Sequence, residues 1–116
     1  MRAIYHINEI DKWKTTLNSC NNPLNVTKTR GETLELYIVA SGDSVCICNT
    51  QDEQYLAERK RLIETADKGI HFMFCKKALE VRKVAWPDDF QKMQIIPSAA
   101  LTLIEYQEKG FPYIKQ

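Results

Sequence analysis

The sequence predicts an α/β protein, a three-layer α/β/α sandwich around a mostly parallel five-stranded sheet. Three observations lead there. Short apolar runs alternate with longer amphipathic stretches, the order that gives a parallel sheet with helices on both faces. Gly69 and Gly110 fall just after two of the amphipathic stretches, where helices end. No repeat, low-complexity tract or linker interrupts the alternation, so one domain over 1–116 is expected.

Each element has its own signal. Ala3 to Ile7 is apolar and reads as a first strand, with His6 near its carboxyl end. Asp11 is placed to cap a helix whose apolar residues Trp13, Leu17, Cys20 and Leu24 recur at spacings of three and four. Asn25 to Glu32 is polar and reads as a loop. Leu34 to Ala40 is the strongest strand pattern and closes on the turn Ser41-Gly42-Asp43-Ser44. A short apolar insert, Val45 to Cys48, follows. Asp52 or Thr50 caps a second long helix, Glu53 to Lys68, with Leu56, Ile63 and Ala66 inward and Gly69 as its C-cap.

Ile70 to Phe74 is a third strand ending at Cys75. Lys77 to Lys83 follows as a short helix, with Leu79 and Val84 inward, and Trp86 to Phe90 as a turn. Met93 to Ile96 is a brief fourth strand. Pro97 and Ser98 start a helix with Ala100, Leu101 and Ile104 as its apolar face, and Phe111 to Ile114 is a last strand.

Composition narrows the function. Hydrophobic residues at 44% and charged residues at 27% are ordinary for a globular domain. Sixteen basic against fifteen acidic residues leave a net charge of +1, so direct nucleic-acid binding is not expected. The apolar start, Met1 to Ile7, is too short for a signal peptide, and no window reaches the length of a membrane span. A cytoplasmic location follows as the expectation, with the four cysteines as thiols.

In a parallel sheet, ligands and reacting groups collect at the carboxyl ends of the strands. His6, Ser41 to Ser44 and Cys75 all lie at such ends, and Ser98 opens a helix at the same rim. Cys75 is followed by Lys76 and Lys77, and a thiol beside cations and a helix start is in surroundings that favour thiolate. The competing reading is a packed core cysteine. Cys46-Ile47-Cys48 lacks zinc or thioredoxin spacing and reads as structural, although Cys46 or Cys48 could serve Cys75 as a resolving thiol if the second and third strands are neighbours. No metal or cofactor is implied. Cys20 reads as core; Trp13, Trp86 and Tyr113 as core or subunit contacts; Arg59-Lys60-Arg61 as a solvated helix face.

Taken together, these residues resemble the DsrE/DsrF-like family, particularly its small stand-alone members. The likeness is carried by Ile4-Tyr5-His6-Ile7 with Asp11-Lys12-Trp13, Leu17-Asn18 and Asn22, by Leu36 to Gly42, and by Gly69-Ile70-His71-Phe72-Met73-Phe74-Cys75. Ile95-Ile96-Pro97-Ser98 and Glu105 to Lys115 complete it. Lys76-Lys77-Ala78 departs from the family, where an asparagine-serine pair is common. The resemblance implies homo-oligomers, often trimers or hexamers. It also implies a sulfur carrier or sulfurtransferase-like protein, with Cys75 as the persulfide-bearing thiol between donor and acceptor proteins. His6, Ser41, Gly42, Lys76, Lys77 and Ser98 would line its pocket. The alternative is a non-enzymatic small-ligand-binding or assembly module in which Cys75 only packs.

Overall fold

Three strands are buried on both faces, as parallel strands are: β1 (Arg2–Ile7), β2 (Glu35–Ala40) and β3 (His71–Cys75). Two three-residue strands, β4 (Gln94–Ile96) and β5 (Tyr113–Lys115), form the edges. The computed structural model, which describes residues 1–116, places all five parallel in the order β4-β3-β2-β1-β5. The predicted parallel five-stranded sheet is therefore what the chain adopts. Strand order reverses between β1 and β5, the kind of position where open α/β sheets receive ligands.

Register fixes the two faces, because side chains at aligned positions of parallel strands point the same way. Tyr5, Ile38 and Phe72 are aligned, as are Ile7, Ala40 and Phe74. α1 (Trp13–Thr29) covers this side, the Trp13 ring lying 6.2 Å from Phe72 and 6.0 Å from Phe74. Trp13 is fully buried and its indole N–H donates to the Ser44 carbonyl at 2.8 Å. Truncating such a side chain to alanine costs about 3–5 kcal/mol. α2 (Leu56–Asp67) runs beside α1, tied by Asn21 Nδ2 donating to Thr65 Oγ1 at 3.0 Å. The opposite face carries His6, Val39 and Met73 in one row and Ile4, Tyr37 and His71 in the next. α4 (Ala99–Glu108) packs there, with Tyr106 4.8 Å from the Tyr37 ring and 5.0 Å from Phe111.

Several local expectations are corrected. Asp11 is no cap: a 3-10 turn over Ile10–Lys12 leads into α1, and no side chain caps either start. Of the predicted loop Asn25 to Glu32 only 30–32 lie outside helix, since α1 runs through Pro23 to Thr29; the carbonyl that Pro23 orphans is taken up by Tyr5. The turn and insert after β2 form one 3-10 helix, Gly42–Cys48. Asp52 does cap, its side chain accepting from the Gln54 amide at 3.0 Å, but only for a 3-10 turn ahead of α2.

The inward face of α2 is Arg59, Leu62, Thr65 and Ala66, whereas Leu56 is exposed and Ile63 half-buried. Arg59 is not solvated. Its guanidinium donates to the Ile47 and Asn49 carbonyls at 3.2 Å each, which satisfies the charge without a carboxylate and holds the connection into α2.

α3 (Lys76–Arg82) follows β3 without a loop, with Leu79 buried and Val84 half-buried. Gly69 ends α2 as expected: its φ is +99° and its amide donates to the Ala66 carbonyl at 2.9 Å. Ser98 caps α4, its Oγ accepting from the Leu101 amide at 3.1 Å. α4 shows its predicted apolar face to the outside, Leu101 being 52% and Ile104 54% exposed. The side that packs is Ala99, Leu103 and Tyr106, because stacking of Tyr106 on Tyr37 and Phe111 sets the helix rotation. No helix is long and apolar enough to cross a membrane.

Candidate functional site

The residues singled out from the sequence do reach one rim of the sheet, but they divide into two parts. One part is centred on Cys75, the other on His6.

Cys75 is the last residue of β3 and the N-cap of α3, with extended backbone at φ −68°, ψ 118°. Its side chain is free and only 8% exposed. Across the sheet it is aligned with Ile96 of β4; on the other side Phe74 is aligned with Ala40, which puts Ser41 level with Cys75 one step beyond. Lys76 and Lys77 project into solvent from the first turn of α3. Ser98 lies two residues past Ile96, and its hydroxyl is occupied in capping α4.

His6 is half-buried and held from both ring nitrogens. Nε2 lies 2.7 Å from Ser41 Oγ, and Nδ1 lies 3.0 Å from the Tyr113 hydroxyl. Ser41 Oγ also donates to Asn8 Oδ1 at 3.3 Å, so four side chains from β1, β2 and β5 and their exits form one chain of hydrogen bonds. Burial first, and the neighbouring Lys115 ammonium second, hold His6 below the ordinary histidine range. The imidazole is thus kept neutral near neutral pH, able to donate from one nitrogen and accept at the other.

Gly42 makes this arrangement sterically feasible. Its φ is +54°, and a Cβ there would lie 2.0 Å from Asn8 Oδ1, the atom that receives the Ser41 hydroxyl. Ser44 then anchors the turn, its Oγ donating to the Ile7 carbonyl at 3.0 Å and the Ser41 carbonyl at 2.6 Å. Tyr113, read from the sequence as core or subunit contact, is 39% exposed and meets His6. It is 107 residues from His6, and only the pairing of β1 with β5 brings the two together.

The other three cysteines lie away from the strand-end position of Cys75. Burial pushes the Cys20 thiol up to about 12, and raises Cys46 and Cys48 as well. β2 and β3 are neighbours, the condition set for a resolving thiol, and Cys46 and Cys48 lie on the 3-10 helix that follows β2. Nowhere do three His, Cys, Asp or Glu side chains group to hold a metal ion. The larger surface cavities lie elsewhere. One of about 580 Å³ is lined by Met1, Arg2, Thr33, Glu35, Gly69 and His71 at the amino ends of the strands. Another, of about 500 Å³, is lined by Thr50, Ala85, Trp86, Pro87, Asp88 and Asp89.

No protein-family model matches the sequence, and no curated protein matches it. Solved structures do. A protein of unknown function, MTH1491 from Methanobacterium thermoautotrophicum, superposes with a TM-score of 0.75 at 22% identity, covering 99% of this chain and 98% of that one. The ychN protein from E. coli gives a TM-score of 0.68 at 12% identity, with both chains covered completely at 100%. The five-stranded α/β fold is shared with these structures. A conserved protein of unknown function, BT1422 from Bacteroides thetaiotaomicron, gives 0.67 at 21% identity over 99% of this chain and 94% of that one. At these identities the likeness is one of fold.

Proposed function

We propose that this chain is a sulfur carrier of the DsrE type, holding a sulfane sulfur on Cys75 between a donor and an acceptor protein. The observation that carries the reading is the position of Cys75. It ends an inner strand at the carboxyl rim of the sheet, beside Lys76 and Lys77 and level with Ser41, which bonds His6. Cys75 thiolate attacks the donor's persulfide, keeps its outer sulfur and yields it to an acceptor thiol by exchange. A cargo of one sulfur atom needs no cavity, whereas a small organic ligand occupies roughly 300–1,000 Å³. The larger cavities are lined by neither Cys75, His6 nor Ser41, which favours the carrier over the small-ligand module.

Assembly with further copies, as a trimer or hexamer, belongs to the same reading. The outward Leu101 and Ile104 of α4 supply apolar surface for it. Sedimentation of wild type against Leu101→Glu tests that part: a wild-type monomer rejects it. Incubation with a cysteine desulfurase and cysteine tests the carrier. Wild type gains one sulfur and Cys75→Ser gains none; a small ligand that stabilises Cys75→Ala as well as wild type would instead support the binding module.

A further inference from the structure

The sheet register lines up more than the two halves of the rim. Cys75 on β3, Ser41 after β2, His6 on β1 and Tyr113 on β5 all project on the face that carries α4. Met73, Val39 and His6 are aligned there, Cys75 and Ser41 each lie two residues beyond their aligned partner, and Tyr113 reaches up from its position opposite Ile4. Adjacent strands are about 4.8 Å apart, so Ser41 is the side chain between Cys75 and His6. Ser41 Oγ is held by His6 and Asn8, and no hydrogen bond joins it to the thiol in this resting arrangement.

We propose that Ser41, His6 and Tyr113 form the acid–base relay for Cys75: His6 accepts the thiol proton through the Ser41 hydroxyl, and Tyr113 orients the imidazole. This rests on the carrier reading for its chemistry, because sulfur transfer is the step in which a proton must leave Cys75. The Sγ of Cys75 attacks the outer sulfur of a donor persulfide R–S–SH. The Cys75–sulfur bond forms, the donor sulfur–sulfur bond breaks, and the donor departs as a thiolate. Meanwhile the Ser41 hydroxyl, turned from Asn8 to His6 with the imidazole in the tautomer whose Nδ1–H donates to Tyr113, passes its proton to Nε2 and takes the Cys75 proton. The imidazolium then protonates the departing thiolate, so that no oxidant or reductant is consumed. Discharge to an acceptor thiol runs the same proton in reverse.

The geometry has two features of an activated nucleophile: a base within hydrogen-bond reach of the hydroxyl that the register sets beside the thiol, and a third residue that orients that base. The charge that bears on His6 is Lys115 of β5, and Tyr113 faces it as a neutral hydrogen-bond partner. Lys76 and Lys77 flank Cys75, and Asp43 beyond Ser41 is held by Arg82 at 2.9 Å.

The test is the rate of Cys75 alkylation by iodoacetamide between about pH 5 and 9, where histidine titrates. It is read peptide by peptide in the intact protein, for wild type, His6→Gln, Ser41→Ala and Tyr113→Phe. In wild type the rate rises through the His6 titration. His6→Gln and Ser41→Ala lower it on the order of tenfold near neutral pH, and all variants converge at alkaline pH, where the thiol ionises unaided. Tyr113→Phe keeps the ring and shifts the midpoint. Should His6→Gln fail to fold, Ser41→Ala and Tyr113→Phe decide. Wild-type profiles in those two folded variants overturn the relay, as does a wild-type Cys75 that is inert throughout. A relay-dependent profile with no sulfur loading leaves the relay standing and removes only the carrier reading.

Discussion

The hydroxyl of Tyr5 donates at 2.9 Å to the carbonyl of Ser19, the acceptor left without its helical partner because Pro23 has no N–H. A residue of the central strand thereby repairs a defect in the helix packed on it, and α1 continues to Thr29. Tyr5→Phe should cost about 1–2 kcal/mol, the price of an unsatisfied buried carbonyl. Urea unfolding measures it as a lower midpoint at unchanged m-value. In a Pro23→Ala background the restored N–H takes the Ser19 carbonyl, and the penalty should shrink; equal penalties in both backgrounds would refute the pairing.

Gly42→Ala should destabilise the protein by about 1–3 kcal/mol, since alanine is strained at φ +54° and its Cβ would displace Asn8. The nearer consequence is at the site. With Asn8 displaced, Ser41 loses one of its two partners, and the His6 resonances in NMR should shift although residue 42 is not in the hydrogen-bonded chain.

His6 should titrate below the ordinary histidine range, mainly through burial and secondarily through Lys115. Lys115→Gln should raise its midpoint part of the way back, as NMR would register. The sign for stability follows. The folded state holds the neutral ring better than the unfolded state does, so the contribution is full above about pH 6.5 and is lost as pH falls through the folded midpoint. His6→Gln should flatten that part of the acid limb, and an unchanged slope would rule out the depressed titration.

At the alkaline end the buried thiols act. Cys20 is raised from 9.0 to about 12, so the unfolded chain releases this proton first and stability falls as pH climbs from 9 towards 12. Each such thiol contributes a slope of about 1.4 kcal/mol per pH unit in that window. Urea midpoints under reducing conditions should show the decline, and Cys20→Ala should lessen its steepness while lowering the midpoint at neutral pH.

Local patterns carried the strands, the Gly69 and Ser98 helix ends and the placing of Cys75, because each depends on residues close in sequence. What they could not carry depends on distant partners. Asn25 to Glu32 reads as a loop unless Tyr5 is known to reach Ser19 and let α1 continue past Pro23. α4 has two apolar stripes, and only the Tyr37–Tyr106–Phe111 stack chooses which one packs. Arg59 looks solvated until the 3-10 helix after β2 turns its carbonyls toward it. His6 and Ser41 were legible as strand-end residues, but their direct contact and the part played by Tyr113 required the order of the sheet.

The central claim concerns Cys75, and its most direct test is site-resolved mass spectrometry after sulfur loading. The protein is incubated with a cysteine desulfurase and cysteine, its thiols and persulfides are alkylated, and each of the four cysteine peptides is weighed. The account predicts one added sulfur confined to the Cys75 peptide, with Cys20, Cys46 and Cys48 unmodified. Sulfur spread evenly over all four, or absent from Cys75, would contradict it.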